Sequence, residues 1–293
     1  MAETHRKHRF SLLYHPRPSE PTHDQLLTAA ADPVVAWGLY VGGVRQDVTD
    51  LDVAATRAGA GEGFVWLGLK DPSNEDMAGL AERFDLHPLA IEDAVEGHTR
   101  SKLEQFGDTL FCVISTIAYA ELSESSATSQ IVSTGQIMVF VGERFVMTVR
   151  RGDHAQLATL RARLELDSQR LALGTHEVLY SVLDKVIEDY LRLVDELGSE
   201  VENVEYAVFS QQGMREVDRV YQLKRELIAF KRAVIPLGAA LHALATRPYV
   251  VVPERARAYF RELSDHHLEA REAVQSYDEV LSTILSAGLA RIS

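Results

Sequence analysis

The sequence predicts an α+β fold: an N-terminal mixed α/β domain with helices packed on a mixed or antiparallel sheet, followed by a long helical region that ends in a stalk helix. Three observations predict it. Short β-rich apolar runs are confined to the stretch before Gly152, apolar residues beyond it recur at helical spacing, and the stretch from Pro253 to Ser293 carries a continuous heptad seam. With 293 residues, 46% of them hydrophobic and 25% charged, the chain is long enough to bury a sizeable core.

Residues 1–30 mix His, Pro, Ser and Thr and read as a partly disordered N-terminal extension. The α/β domain is assigned to 31–152, with strands at Val34–Tyr40, Val44–Val48, Phe64–Leu69, Thr109–Tyr119, Gln136–Val141 and Arg144–Val149. Gly142 and Glu143 fall where a tight antiparallel hairpin would turn. Ser73 and Asp76 have capping-box spacing ahead of Met77, Leu80, Ala81 and Phe84, which predicts a helix. A second short helix follows His87-Pro88, with proline in its first turn and Leu89, Ile91 and Val95 expected to point partly inward.

A helical hairpin region is assigned to 153–252, with helices from His154 to Leu166, Thr175 to Ser210 and Met214 to Ala245, Gly213 as a break, and Tyr249–Val252 as a brief strand or a loop. The stalk helix, 253–293, starts at Pro253. Along it Ala256, Phe260, Leu263, His267, Ala270, Val274, Tyr277, Leu281, Ile284 and Gly288 alternate in steps of four and three. A rod of roughly 60 Å carries this stripe. A single globule is not expected to enclose such a rod, so oligomerisation or a projecting stalk is implied.

Forty-three acidic residues against thirty basic ones give a formal charge of −13, which repels nucleic-acid phosphates and excludes nucleic acid as a partner. The single cysteine, Cys112, lies among apolar residues and has no disulfide partner, as expected of a buried thiol in a reducing compartment such as the cytoplasm. The polar, basic start, Met1 to Arg9, leads into no apolar core of about 7–15 residues, so a secretory signal is not expected. The most apolar window, Ala233–Ala245, is too short for a membrane span and contains Pro236. Phosphate-loop, dinucleotide and nucleophile-elbow motifs are missing, and the chain is not expected to be an enzyme.

Four acidic places remain: Glu92-Asp93; Asp184 with Glu188 and Asp189; Glu262, Asp265, His266 and Glu269; and Asp278-Glu279. Each also reads as an ordinary solvated helix face. Like charges three and four residues apart on a helix cost stability unless solvent, basic partners or a cation neutralise them. Carboxylate oxygens suit Mg2+, which keeps several waters and touches one or two carboxylates. There is no cysteine pair and no His-Glu-x-x-His, and the adjacent His266 and His267 cannot both face one ion from a helix, which disfavours structural zinc.

The stretch Leu86-His-Pro-Leu-Ala-Ile-Glu-Asp-Ala94 with His98-Thr-Arg-Ser-Lys-Leu-Glu-Gln-Phe106 resembles the "HPL-x-x-ED … H-x-R-x-K-x-E-x-F" segment of the CorA family of magnesium transporters. Tyr221-Gln-Leu-Lys-Arg-Glu-Leu227 with Ile235-Pro-Leu237, and Tyr259-Phe-Arg-Glu-Leu-Ser-Asp-His266, resemble two further family segments, in order, over about residues 60–293. The resemblance implies the cytoplasmic part of a homopentameric funnel whose pore passes Mg2+ and, in many members, Co2+ or Ni2+. It places this part on the cytoplasmic side of the inner membrane. A C-terminal transmembrane region would follow the stalk, so the chain, ending at Ser293 in helical register, reads as a soluble fragment. The resemblance also implies Mg2+ held between subunits by Asp93 and Glu262, where the usual stalk residue is Asp. It implies a neighbouring site at Glu92, Asp184 and His266, with Asp265 close by. A family pore position that is usually acidic falls at Ser286. The zinc-transporting branch of the same superfamily shares this architecture, and a soluble helical scaffold without a metal is the alternative from another class.

Overall fold

The structure, a computed structural model, describes residues 33–97, 100–119, 132–152, 157–209 and 213–292; these belong to one compact unit. The assigned extension at 1–30, and His98, His154 and Ser210, lie outside the described residues.

Seven strands form one sheet in the order β2-β1-β3-β7-β6-β5-β4: β1 (Val34–Val41), β2 (Val44–Arg45), β3 (Phe64–Lys70), β4 (Lys102–Phe106), β5 (Thr109–Tyr119), β6 (Val132–Val141) and β7 (Phe145–Arg151). Strands β4 to β7 form an antiparallel meander, and β7 then joins β3 in parallel, Val65 opposite Phe145 through Lys70 opposite Arg150. The sheet is therefore mixed. Its β6–β7 turn falls where expected: the Gly142 N–H donates to the Phe145 carbonyl at 2.9 Å. A Cβ at Gly142 would lie 2.3 Å from the Phe145 ring, so a side chain there would force the ring to move.

Alternate residues of each strand enter different cores, as the two-residue period of a strand requires. Tyr40, Trp66, Cys112 and Val139 pack on one face, and Leu39, Val65, Phe111 and Phe140 on the other. Burial pushes the Cys112 thiol up to about 12. Helices α1 (Leu51–Gly59), α2 (Asn74–Phe84) and α3 (Pro88–Glu96) supply the second core. The predicted box closes α2: the Asp76 N–H donates to Ser73 Oγ at 3.3 Å and the Ser73 N–H to Asp76 Oδ2 at 2.8 Å. On α3, His87 Nδ1 accepts from the Leu89 N–H at 3.3 Å.

Two expectations for this half are corrected. Val44–Val48 reduces to the two residues of β2, because Val44 is exposed at the sheet edge and the chain folds back through a Val48 N–H to Gln46 carbonyl bond. Leu89 is 58% exposed, and the inward residues of α3 are Ala90 and Ala94, whose small side chains let the helix approach the sheet closely, while Ile91 and Val95 are half-buried.

The other face carries α4 (Ala158–Leu166), α6 (Thr175–Phe209), α7 (Gly213–Thr246) and α8 (Arg257–Ile292), with a short α5 (Ser168–Leu171) before α6. Gly213 opens α7 instead of separating helices, Tyr249 and Val252 make only an isolated bridge, and a 3-10 turn at Glu254–Ala256 intervenes between Pro253 and α8.

The seam of α8 is buried from Ala256 to Ile284, with Tyr277 half-buried. The expectation that a single globule would not enclose this stripe is overturned as far as Ile284, because α6 and α7, 35 and 34 residues long, lie along α8 and bury the stripe within one chain. His267 fits this apolar seam by placing Nε2 2.7 Å from the Val234 carbonyl. Asp278 is no solvated interruption either. Lys231 at 2.9 Å and Lys224 at 3.1 Å tie it to α7, and their hydrogen bonds, that of Lys231 foremost, hold its carboxyl below the usual range.

The reading that no helix suits a membrane is also corrected: Val217–Thr246 is long and apolar enough by length and composition, because α7 runs continuously through Pro236. Half of its most apolar stretch is buried in the protein, where Phe230, Val234, Leu237 and Leu241 face the other helices and the sheet.

Candidate metal site

The heptad seam turns Phe260, Leu263 and His267 inward, so the intervening Glu262, Asp265 and His266 are exposed on the outer face of α8. The adjacent histidines thus part as expected, one into the core and one to the surface. Tyr180 of α6 sets the helix crossing, edge-on to Tyr259 at 6.0 Å and to Phe260 at 5.8 Å between ring centres. Asp184 follows one turn later, half-buried and within electrostatic reach of Glu262 and His266. Burial pushes the Asp184 carboxyl above its ordinary range; Arg170, His266 and Arg163 oppose the shift and Glu262 adds to it. Burial also pushes the Tyr180 hydroxyl up to about 12, helped by Asp184 and, less strongly, Glu262.

Asp184 also lines a cavity of about 320 Å³ that it shares with Arg163, Arg170, Lys185, Asp167 and Glu188. Basic side chains therefore surround this carboxylate, yet among the described residues it makes no direct ion pair. Arg170 is engaged elsewhere, on Glu177 and on Ser181 Oγ at 3.2 Å. Asp189, five residues on, is fully occupied by Lys185 and Arg192, each at 2.7 Å.

On α3 the arrangement is different. Glu92 is exposed, and Asp93 is bound to Lys102 Nζ at 2.6 Å. The same ammonium meets Glu104 at 2.8 Å. Burial works against the Lys102 charge, but the hydrogen bonds to Asp93 and Glu104 outweigh it and hold the ammonium above its usual range.

The structure thus places Asp184 within electrostatic reach of Glu262 and His266, and keeps Glu92 and Asp93 as a separate pair on α3. Among the described residues no hydrogen bond or ion pair joins the two regions, and no group of three or more His, Cys, Asp or Glu side chains is placed to hold a metal ion. Asp265 is exposed beside the first region. Ser286 is exposed too, its Oγ donating to the Ser282 carbonyl of its own helix at 3.0 Å. Sequence reasoning missed Lys102, Arg170 and Tyr180 as parts of these regions. Lys102 was within reach, since it is the lysine of the "H-x-R-x-K" motif.

A family model described as CorA-like Mg2+ transporter protein matches residues 61–293. The chain belongs to that family. This CorA-family chain is 25% identical to YfjQ of Bacillus subtilis over 221 residues, 75% of this chain and 66% of that one. It is 26% identical to the cobalt/magnesium transport protein CorA of Thermotoga maritima over 234 residues, 78% of this chain and 64% of that one. It therefore spans just under two thirds of the length of these relatives. Among solved structures, the soluble domain of CorA from Methanocaldococcus jannaschii superposes with a TM-score of 0.70 at 15% identity, over 87% of this chain and 96% of that one. The ZntB cytoplasmic domain from Vibrio parahaemolyticus gives 0.65 at 12% identity, over 78% and 88%. Both likenesses concern the fold, a mixed sheet carrying long helices.

Proposed function

We propose that this CorA-family chain is the cytoplasmic, Mg2+-sensing part of a divalent cation channel that carries Mg2+, and Co2+ or Ni2+ with it, across the inner membrane. Five copies form a funnel joined to the membrane through a C-terminal transmembrane region. The observation that supports the reading is the half-buried Asp184 carboxylate where α6 meets α8, within electrostatic reach of Glu262 and His266 and without a direct ion pair among the described residues.

The donors fit the ion. Glu92, Asp93, Asp184, Glu262 and Asp265 offer the hard oxygen atoms that Mg2+ accepts alongside retained waters. In this proposal Asp93 of one copy and Glu262 of the next face each other across the interface, with Glu92, Asp184, Asp265 and His266 as a neighbouring set. Magnesium supplies the positive charge that lets these carboxylates approach. Asp93 reaches it only by releasing Lys102, an exchange that keeps the interface responsive to cytoplasmic Mg2+. When Mg2+ falls, the carboxylates repel, the copies tilt apart and the pore opens.

Calorimetric titration of Mg2+ into the chain and into Asp93→Ala, with oligomeric state measured by sedimentation, tests this. Weaker binding by the variant is expected. Equal binding by both, or none by a confirmed pentamer, removes the sensor role. Zinc accepts imidazole as well as carboxylate ligands, and the electrostatic coupling of His266 to Asp184 supports the zinc-transporting branch as a second reading. Uptake of Zn2+ in place of Mg2+ by the full-length protein, under an imposed proton gradient, would select it.

A further inference from the structure

A cavity of about 830 Å³ opens between the end of α3, the sheet and α7. It arises from the strand register. β7 pairs with β6 from Val141 to Gln136 and ends at Arg151, while β6 continues back to Val132 paired with β5, so the register steps at Gln136. Thr134 and Gly135 line the cavity there, and Ala229 and Arg232 of α7 close it across the gap.

Among the described residues, three arginines line this space, Arg100, Arg151 and Arg232, with two carboxylates, Asp71 and Glu96. Arg151 is anchored: it donates to the Ala94 carbonyl at 3.0 Å, to the Pro72 carbonyl at 2.7 Å and to the Val95 carbonyl, and lies 3.9 Å from Asp71. Arg100 and Arg232 are exposed, and among the described residues neither has a carboxylate partner. A chain with a net charge of −13 thus sets, among the described residues, three guanidinium groups against two carboxylates along this cleft.

We propose that this cleft binds a small polyphosphate anion, as the phosphate chain of a nucleotide or as inorganic polyphosphate. The ligand is held between Arg100 on the sheet side and Arg232 on α7, with Arg151 contributing its charge. The planar fork of a guanidinium matches phosphate oxygens two at a time. The volume lies in the range of sites for molecules of nucleotide size, and a lone phosphate would leave most of it empty. A ligand gripped from both walls would brace α7 against the sheet. The net negative charge opposes indiscriminate polyanion binding, so saturable binding reports a defined site.

The test is calorimetry of the chain with ATP, tripolyphosphate and adenosine in buffer free of divalent cations, which separates the outcome from Mg2+ sensing. Saturable binding of ATP and tripolyphosphate at one per chain is expected, with none of adenosine. Equal affinities identify the phosphate chain as the ligand, and tighter ATP binding identifies a nucleotide. Arg100→Ala and Arg232→Ala, both at exposed positions, should each weaken binding about tenfold, equivalent to about 1.4 kcal/mol, and Glu96→Gln should tighten it. No saturable binding of either polyphosphate, or binding that both arginine variants leave unchanged, overturns the proposal.

Discussion

On α3, Asp93 meets Lys102 at 2.6 Å, and the same ammonium serves Glu104, whereas on α6 Asp184 lies half-buried, acted on electrostatically by Arg170, His266, Glu262 and Arg163 without a direct ion pair among the described residues. Both regions are acidic, yet one is held by a direct ion pair within the chain and the other, among the described residues, is not. An ion entering the first must compete with a lysine already in place. An ion entering the second meets a half-buried carboxylate with no direct ion pair among the described residues. The two sets of carboxylates should therefore contribute unequally to Mg2+ affinity.

The largest effect that would break this contrast comes from the packing beneath the second region. Phe260 is fully buried and touches Tyr180 edge-on. Phe260→Ala should cost about 3–5 kcal/mol in urea denaturation, with the Lys102–Asp93 pair left intact. A loss under about 1 kcal/mol would show that the α6–α8 crossing does not depend on this ring.

A smaller effect concerns Asp184 itself. Its folded pKa is raised, so the stability linked to its protonation is fully present below the unfolded carboxylate value of about 3.9 and is lost as pH rises through the folded value. Asp184→Asn should therefore raise the melting temperature at neutral pH, with the advantage disappearing as pH falls toward the unfolded value. A variant that is less stable at neutral pH would mean that Arg170 and Arg163 already over-compensate the charge.

The smallest effect on stability belongs to Lys102. Lys102→Met should change unfolding free energy by about 1 kcal/mol or less, as for other partly exposed ion pairs, while tightening Mg2+ binding by freeing Asp93. Weaker Mg2+ binding by this variant would break the comparison, because the lysine would then be supporting the site.

How much of this could be read beforehand depended on how local the signal was. The α8 seam was legible because every step of four or three places a residue on the same side, and the core uses those residues from Ala256 to Ile284. The α2 cap was legible because Ser73 and Asp76 satisfy each other within one turn. Helix α1 was not: its inward residues are Ala54 and Ala58, which carry little apolar contrast. Strand β4 was not either, because Lys102–Phe106 is a half-exposed edge strand whose charged residues hide its alternation. Arg161, buried against Trp66 with its guanidinium 4.1 Å from the ring, also broke the rule that charges stay outside.

At the candidate site, the residue types were legible and their grouping was not. Asp184 comes within electrostatic reach of Glu262 and His266 only because α6 and α8 pack side by side. Lys102 meets Asp93 only because β4 pairs with β5, Lys102 opposite Val113, beside α3.

The burial of Cys112 has a practical consequence. A sulfhydryl fully enclosed on β5 and held protonated at neutral pH is a poor target for maleimide or methanethiosulfonate reagents. A cysteine introduced at an exposed position such as Leu166 or Tyr206 would then take a spin label or fluorophore alone. Distances between neighbouring copies could be followed in the natural background as magnesium is added or withdrawn.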